Sequence, residues 1–380
     1  MEEKRNVPKL RFPGFTDPWE QRKLGEVATV TMGQSPNGTF YTDNPNDIIL
    51  VQGNADLKDG WVCPKVWTTQ ITKTANAGDL IISVRAPVGA VGKTAFDVVL
   101  GRGVAGIEGD EFLYQALQKK TQDGYWAVVS AGSTFDSISG NELKNTPIPV
   151  PSSSVERAKV GEQLRKLDSL IALHQRKLDH VKELKKGLLQ KMFPKEGANV
   201  PELRFPGFTD PWEQRKLGDE FLRINERNDG TFGREHWISV SRMFFQDPEA
   251  VQSNNIDTRT YVMREGDIAF EGHPNADFQF GRFVANDIGD GVVSELFPVY
   301  RHKVSYDNAY WKYAIQLERI MAPIFAKAIT SSGNSSNKLD PIHFLKQRIL
   351  VPKVAEQKKI GSLFQKLDSL IALHQRERVE

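Results

Sequence analysis

The sequence predicts an α+β protein in which two similar mixed α/β domains are separated by two long antiparallel helices in a pseudo-twofold internal repeat. Three observations predict this fold class. The segment LRFPGFTDPWEQRKLG occurs at residues 10–25 and again at 203–218. The segment KLDSLIALHQR, with apolar side chains at helical spacing, occurs at 166–176 and again at 366–376. Between them lie short apolar runs of strand type, so the chain is a tandem duplication of one α+β unit.

The repeated segments divide the 380 residues into four parts. We expect a first domain over residues 1–152, a long helix over 153–196, a second domain over 197–352, and a second, shorter helix over 353–380. Each domain is long enough to bury its own core. A constant frame around two dissimilar inserts suggests one scaffold that presents two different binding surfaces.

The first repeated segment is predicted to be an irregular anchor. Pro13-Gly14 and Asp17-Pro18 interrupt regular structure. Phe12, Phe15 and Trp19 are large apolar side chains that need a surface to bury against. We therefore expect the segment to hold the chain against a helix or a domain face, and a direct functional role is the less favoured alternative.

The variable stretches are predicted to share a fold and to differ in their loops. Both contain apolar runs bounded by turns and then a helical patch. Gly78-Asp79 and Gly266-Asp267 precede corresponding runs, and Gly92-Lys93 corresponds to Gly281-Arg282. The expected strands include 48–51, 80–84, 98–100, 268–270 and 291–293, and the expected helices are 111–122 and 308–328.

A long helix is predicted to begin near Ser153, which has the capping-box spacing to Glu156. Pro194 and Gly197 end it, so the span 156–192 would be about 55 Å long. The second copy begins near Val354 and has no counterpart of residues 178–192. We expect the two helices to run antiparallel as a strut and to bind partners. The predicted seam and partner-binding positions are Leu164, Leu167, Ile171, Leu178, Val181, Leu188, Leu367 and Ile371.

Composition argues against several classes of protein. The single cysteine, Cys63, rules out a disulfide within the chain, and we find no Cys/His cluster of zinc-site type. The formal net charge is +2, so any nucleic-acid binding must depend on local patches. The start lacks the apolar core of a signal peptide, and no run of about 18 apolar residues occurs. We expect a soluble cytoplasmic protein.

Catalytic motifs are incomplete in this sequence. Residues 101–106 fit G-x-G-x-x-G, but Ile107-Glu108-Gly109-Asp110 follows as a turn where a dinucleotide site needs a helix. The Asn/Asp-Pro-Pro-aromatic signature of adenine methyltransferases does not occur, and no acid–base or nucleophile pair is repeated in both halves. We therefore expect a binding protein with no catalytic residue, no metal site and no cofactor of its own.

Basic and polar side chains on predicted turns are the candidate DNA-binding residues. Arg and Lys suit guanine edges and phosphates, Asn suits adenine, and Ser and Thr suit either. Taken singly, each is more often a solvated loop residue, but they recur at matching positions of both domains. The candidates are Arg85, Lys93, Arg102, Ser133 and Thr134 in domain one, and His273, Arg282, Asn334, Ser335, Ser336 and Lys338 in domain two.

The order of these segments resembles the specificity (S) subunit of type I restriction–modification enzymes over essentially the whole chain. The residues that carry the resemblance are PKLRFPGFTDPWEQRKLGEV at 8–27 with its copy at 201, KLDSLIALHQRKLDHVKELKKGLLQKMFP at 166–194, and the Val-Pro pairs at 150–151 and 351–352. The resemblance implies two target-recognition domains joined by two conserved helices, each domain recognising half of a split double-stranded DNA site.

The resemblance also implies partners. It implies two methyltransferase (M) subunits that use S-adenosylmethionine, restriction (R) subunits that use ATP and Mg²⁺, and no catalysis by this chain. Two alternatives remain open from the residues alone. One is a stand-alone DNA enzyme, and the other is a two-domain protein-interaction scaffold that does not bind DNA.

Overall fold

The structure is a computed structural model that describes residues 7–130, 136–251, 259–332 and 336–376. The chain divides into two compact units, Met1–Ala172 (unit 1) and Leu173–Glu380 (unit 2). Each unit mixes strands and helices, as the sequence predicts. The boundary falls within the long helix, because each half of that helix packs on its own unit; the four domain limits expected from the repeats stay a prediction.

Unit 1 consists of short strands and four short to medium helices, followed by the start of the long helix. Its helices are α1 (Leu24–Val27), α2 (Glu111–Gln122), α3 (Tyr125–Ser130) and α4 (Gly140–Lys144), before the long helix α5 (Ser154–Lys191). Its strands are β1 (Glu20–Lys23), β2 (Val30–Met32), β3 (Tyr41–Thr42), β4 (Ile48–Val51), β5 (Leu57–Lys58), β6 (Trp61–Val62), β7 (Trp67–Thr68), β8 (Thr74–Ala75), β9 (Leu80–Ser83), β10 (Val91–Lys93), β11 (Val98–Leu100), β12 (Val104–Ile107) and β13 (Pro147–Val150).

Unit 2 follows the same plan and ends in the second long helix. Its helices are α6 (Leu217–Glu220), α7 (Asn308–Ala314), α8 (Glu318–Phe325), α9 (Pro341–Lys346) and α10 (Val354–Arg376). Its strands are β14 (Glu213–Lys216), β15 (Phe221–Ile224), β16 (Ile238–Ser239), β17 (Phe244–Phe245), β18 (Thr260–Met263), β19 (Ile268–Glu271), β20 (Arg282–Ala285), β21 (Gly291–Ser294), β22 (Val299–His302), β23 (Ile329–Ser332), β24 (Asn337–Leu339) and β25 (Arg348–Val351).

Both units contain the same four-stranded antiparallel sheet. Its order is β2-β12-β9-β10 in unit 1, where β6 and β5 extend it, and β15-β22-β19-β20 in unit 2. Every residue of β9 and β19 is buried, which explains why the first three residues of each strand are apolar. Gly78-Asp79 and Gly266-Asp267 lie directly before these two strands. The prediction that the two domains share a fold is borne out for this sheet.

A second layer of strands differs between the units. In unit 1 it is a five-stranded sheet, β3-β7-β4-β11-β8, in which β4 and β11 are parallel. In unit 2 the described strands form two separate pairs, β18–β21 and β16–β17. An apolar cluster that includes Ile81 and Val98 fills the space between the layers in unit 1, and one that includes Ala269 and Val293 does so in unit 2.

The first repeated segment anchors each unit to the start of its long helix. Arg11 makes a bidentate ion pair with Glu156, with both nitrogen–oxygen distances 2.7 Å. Arg204 repeats this with Glu356 at 2.7 and 2.8 Å. The segment then continues into β1, which pairs with β13, and in unit 2 into β14, which pairs with β25. The structural role expected for the segment fits these contacts.

The start of α5 departs in one detail from the predicted capping box. The Glu156 N–H donates to the Ser153 hydroxyl (3.4 Å), as expected. The Glu156 carboxylate accepts from Arg11 instead of from the backbone of the cap, and this hydrogen bond lowers the pKa of Glu156. A long-range ion pair has therefore replaced half of the local cap. One turn later, a Cβ on Gly161 would lie 2.8 Å from the Phe112 backbone nitrogen, so only glycine lets the helices approach this closely.

In unit 2 the second half of α5 packs against α10, and the two run antiparallel. The His174 and His374 ring centroids are 6.2 Å apart, and those of Phe193 and Phe364 are 6.4 Å apart. Residue numbers therefore rise along α5 as they fall along α10. The antiparallel pairing predicted from the sequence is confirmed for this stretch.

The helix expected over residues 308–328 is wrong as a single element. The structure has α7 and α8 with a turn at residues 315–317. Ile315 is 2% exposed, and Leu317 packs against the same apolar cluster. The turn lets both side chains reach the core, which a continuous helix over this length would not allow. Apolar periodicity alone did not reveal the break.

Candidate nucleic-acid interface

Three backbone segments of unit 1 meet at one edge, and two of them carry the predicted DNA-binding residues Arg85 and Arg102. Arg85 lies between β9 and β10, and Arg102 lies between β11 and β12. The Val84 N–H donates to the Gly103 carbonyl (2.8 Å), and Arg85 forms a backbone bridge with Ser137. These contacts place the three segments side by side. Ser133 and Thr134 lie outside the described residues.

Both arginines of this edge are available to a ligand. Arg85 and Arg102 are exposed, and within the described ranges neither side chain has a hydrogen-bond or ion-pair partner. The backbone of Arg102 is held by the hydrogen bond from its N–H to the Ser35 hydroxyl (3.0 Å). A fixed backbone with a free guanidinium suits recognition of guanine or phosphate.

The sequence reasoning missed Gln34 and Gln52, which share this edge. Gln34 follows β2, and its N–H donates to the Leu100 carbonyl (2.8 Å). Gln52 follows β4 directly, and both glutamines are exposed. The available signal was their position just after strands, since the ends of β2 in one layer and β4 in the other reach a common edge.

Lys93 does not join this group in the structure. Its Nζ lies 2.9 Å from a Glu111 carboxylate oxygen and over the rings of Trp61 (5.0 Å) and Tyr114 (4.4 Å). Its side chain is 18% exposed. A DNA contact would have to break a partly buried ion pair. Lys93 lies at the end of β10 and its partners Glu111 and Tyr114 lie on α2, so Lys93 fixes α2 against the sheet.

In unit 2 the predicted residues gather around the β19–β20 loop and the β23–β24 hairpin. The Asn337 N–H donates to the Gly272 carbonyl (2.8 Å), which joins the hairpin to the loop. This contact brings Ser336 next to His273, and Lys338 is exposed on the hairpin strand. Asn334 and Ser335 lie outside the described residues.

Glu271 organises the cations of the unit 2 edge. One carboxylate oxygen lies 3.2 Å from His273 Nδ1, and the other accepts from Arg282 Nε at 3.2 Å. Arg282 also donates to the Ser241 carbonyl and stacks over Phe278, 5.2 Å from the ring centroid. The His273 side chain is 57% exposed, whereas that of Arg282 is 23% exposed. His273 and Lys338 are therefore the more accessible candidates, and Arg282 holds the loops together.

The predicted helix residues divide into two groups. In unit 1, Leu167 is 44% and Ile171 58% exposed, and Leu164 is half-buried. These three form an apolar stripe on α5, which we call the α5 stripe.

The other seam residues are used inside unit 2. Leu178 and Leu367 are 2% and 6% exposed, and Val181 and Leu188 pack against the same core, while Ile371 is half-buried. The interpretation of Leu178 and Leu367 as partner-binding residues is therefore corrected, because contacts within the chain already cover them. Beside this seam, Lys185 forms a salt bridge with Asp368. Asp368 also accepts a hydrogen bond from the Tyr313 hydroxyl (2.6 Å).

Metal ligands and membrane-spanning helices are two further features that bear on function. Among the described residues, no group of three or more His, Cys, Asp or Glu side chains is placed to hold a metal ion. No helix in the described ranges is both long and apolar enough to cross a membrane.

Comparison with known proteins finds similar proteins over about half of the chain. Residues 16–183 match the family model of the type I restriction modification DNA specificity domain. A protein described as the MjaX type I restriction enzyme specificity subunit of Methanocaldococcus jannaschii is 26% identical over 197 residues, which are 49% of this chain and 45% of that protein. The MjaIX specificity subunit of the same organism is 28% identical over 226 residues, 53% of this chain and 51% of that protein. The chain thus matches about half the length of these relatives.

A solved structure has the same fold over nearly the whole chain. The S subunit of a type I restriction–modification system from M. genitalium superposes with a TM-score of 0.61 at 16% identity, covering 98% of this chain and 95% of that one. The α+β fold class and the resemblance to specificity subunits, both predicted from the sequence, are confirmed.

Proposed function

We propose that this chain is the DNA sequence-recognition subunit of a type I restriction–modification complex, and that each unit recognises one half of an asymmetric bipartite site. The observation that carries the proposal is the match of residues 16–183 to the DNA specificity domain, together with a second copy of the same four-stranded sheet in unit 2. The two sheets carry different loop edges, so the two half-sites differ in sequence.

The energetics of recognition favour two units over one. A good bidentate base contact discriminates by about 1–3 kcal/mol. Selecting one site among roughly 10⁶–10⁹ competitors requires about 8–12 kcal/mol. A single edge with two or three such contacts falls short of that figure, whereas two edges acting on one duplex reach it.

Helix α5 supports a fixed spacing between the half-sites. It is one continuous helix of 38 residues, about 57 Å long. This length exceeds one turn of duplex DNA, about 34–36 Å. We propose that base pairs not contacted by either unit lie between the half-sites and that helix length sets their number.

The α5 stripe is the proposed docking surface for a methyltransferase subunit. In unit 2 the matching face of α10 is covered by the second half of α5. This amphipathic stretch places Leu178 against the core and Lys185 beside Asp368. A partner helix with the same alternation of leucine and lysine would fit the stripe and the neighbouring Asp168. Two methyltransferase subunits using S-adenosylmethionine, and restriction subunits using ATP and Mg²⁺, would supply the catalysis in the cytoplasm.

Methylation mapping tests this proposal. Cells that carry the gene and its methyltransferase partner should show adenine methylation at a bipartite asymmetric motif. Deletion of the gene should remove that motif from the methylome, and re-expression of the unaltered chain should restore it. An unchanged methylome after deletion would refute the proposal. Purified chain plus methyltransferase should bind the motif with an affinity that falls as salt rises.

A further inference from the structure

The turn that carries Arg102 lies between two other turns in unit 1. On one side are Gln34 and Ser35, held by the hydrogen bonds from the Gln34 N–H to the Leu100 carbonyl and from the Arg102 N–H to the Ser35 hydroxyl. On the other side is Gln52, since the neighbouring Gly101 N–H donates to the Val51 carbonyl (2.7 Å). Three consecutive positions along this edge therefore carry Gln34, Arg102 and Gln52.

Glycines bring these turns into backbone contact. A Cβ on Gly33 would clash with the Gly101 carbonyl oxygen, and a Cβ on Gly103 would clash with the Gln52 carbonyl oxygen. The glycine pattern that resembles a dinucleotide motif therefore serves close packing of turns between strands. Because these positions are glycines, the turns approach one another closely, and Gln34, Arg102 and Gln52 lie on neighbouring backbones.

The backbone N–H of Gln52 is held by a hydrogen bond, whereas its side-chain amide is exposed. A carboxylate oxygen of Asp56 accepts from the N–H groups of Gln52 (2.7 Å) and Gly53 (3.2 Å). The amides of Gln34 and Gln52 are exposed, and in the part of the chain that the structure describes neither amide has a hydrogen-bond partner. A fixed backbone with an unused amide donor and acceptor is the arrangement that bidentate base contacts require.

We propose that Gln34 and Gln52 determine specificity by contacting adenines that flank a guanine contacted by Arg102, in the half-site bound by unit 1. The chemistry follows from the side chains. A glutamine amide donates to N7 and accepts from N6 of adenine in the major groove, whereas arginine donates to both O6 and N7 of guanine. This inference rests on the proposed DNA-recognition function and adds which bases unit 1 selects.

The test uses the full chain assembled with its methyltransferase partner. Methylomes are compared for the unaltered chain, Gln34→Ala, Gln52→Ala and the control Gln163→Ala, whose exposed side chain lies on α5 away from this edge. Each edge variant should relax one base position in one half of the motif and leave the other half unchanged. In binding assays, the preference for adenine at that position should fall by about 5- to 150-fold, and the control should behave as the unaltered chain.

A second variant of Gln52 separates a change in base preference from a loss of folding. Gln52→Glu keeps the size of the side chain but removes the amide donor, so it should shift the preference at its position from adenine towards cytosine. A motif that stays unchanged in all three edge variants would overturn the inference while leaving the proposed function intact. Equal weakening at every position would also overturn it, because that result indicates phosphate contacts. Absence of any motif with the unaltered chain would instead refute the proposed function.

Discussion

A buried ion pair joins the first repeated segment to the start of each long helix. In unit 2, Arg204 and Glu356 are 13% and 1% exposed and bond through two nitrogen–oxygen pairs. The hydrogen bond to Glu356 raises the pKa of Arg204, so the arginine stays charged. A buried carboxylate that loses its cation is costly, whereas an intact buried ion pair adds little net stability. The pair therefore acts mainly to hold the first repeated segment in place.

Arg204→Ala should therefore destabilise unit 2 by about 3–5 kcal/mol, measured by urea unfolding of the full chain. The double variant Arg204→Met/Glu356→Leu should recover most of that loss, because it removes both charges together. Arg165→Ala, which breaks an exposed pair with Glu162, is the control and should cause no measurable loss. Equal effects of Arg204→Ala and Arg165→Ala would contradict this account.

His302 makes the stability of unit 2 depend on pH. Neither ring nitrogen has a hydrogen-bond partner among the described residues, and the ring stacks on Tyr306 with centroids 3.8 Å apart. Burial lowers the pKa of His302 from 6.5 to about 3. The unfolded chain therefore binds a proton more readily than the folded chain between these values. The stability due to neutral His302 is present above pH 6.5 and is lost as the pH falls towards 3.

The expected loss from this residue is about 2 kcal/mol between pH 7 and pH 5. Urea unfolding at the two pH values should show that loss in the unaltered chain, and His302→Phe should lack it. The informative quantity is the difference between the two proteins, since other groups titrate in both. If the two proteins lost stability in parallel, the buried neutral histidine would not be the cause.

The roles of single residues were the hardest feature of the molecule to predict from the sequence. The sequence gives Lys93 and Arg282 the same status as Arg85 and Arg102, because all four follow or precede apolar runs. The structure separates them through acidic partners that are distant in the chain: Glu111 for Lys93 and Glu271 for Arg282. Long-range pairing of this kind leaves no local pattern.

The elements were more predictable, because repeated apolar spacing reports burial directly. The helix expected over 111–122 matches α2, and the long helix expected over 156–192 matches α5 to within two residues at its start and one at its end. The strand pairs β1–β13 and β14–β25 were missed because β1 and β14 consist only of polar residues and β13 contains two prolines. In both β13 and β25 an isoleucine and a valine two residues apart are buried in the core, so these strands hold their polar partners β1 and β14 against the unit.

Leu167 and Leu367 occupy the same position of the repeated segment in different surroundings. Leu367 is 6% exposed beneath α5, and Leu167 is 44% exposed. Leu367→Ala should cost about 2–5 kcal/mol in urea unfolding, because it leaves a cavity in the core. Leu167→Ala should change stability by no more than about 0.5 kcal/mol.

The same pair of variants tests the α5 stripe. Leu167→Ala should weaken assembly with the proposed methyltransferase subunit, measured by analytical ultracentrifugation, although the chain itself stays folded. Arg165→Ala again serves as a control on the same helix. Normal assembly of Leu167→Ala would show that the stripe is not the docking surface.

At the scale of the whole molecule, duplication explains both the similarities and the differences between the units. The constant parts are the Arg–Glu pairs, the four-stranded sheet and the long helices, all of which follow from repeated residues or repeated landmarks. The differing parts are the second strand layer and the loop edges. This division was predictable from the sequence, whereas the meeting of Gln34, Gln52, Arg85 and Arg102 at one edge was not, since it depends on how four strands end together.

The central claim is that each unit recognises its own half of one DNA site. The most direct test replaces residues 28–150 with the equivalent stretch of another specificity subunit and maps adenine methylation in cells that contain the methyltransferase partner. We predict a new sequence in one half of the methylated motif, with the other half and the number of base pairs between the halves unchanged. A motif altered in both halves, or in neither, would contradict the account.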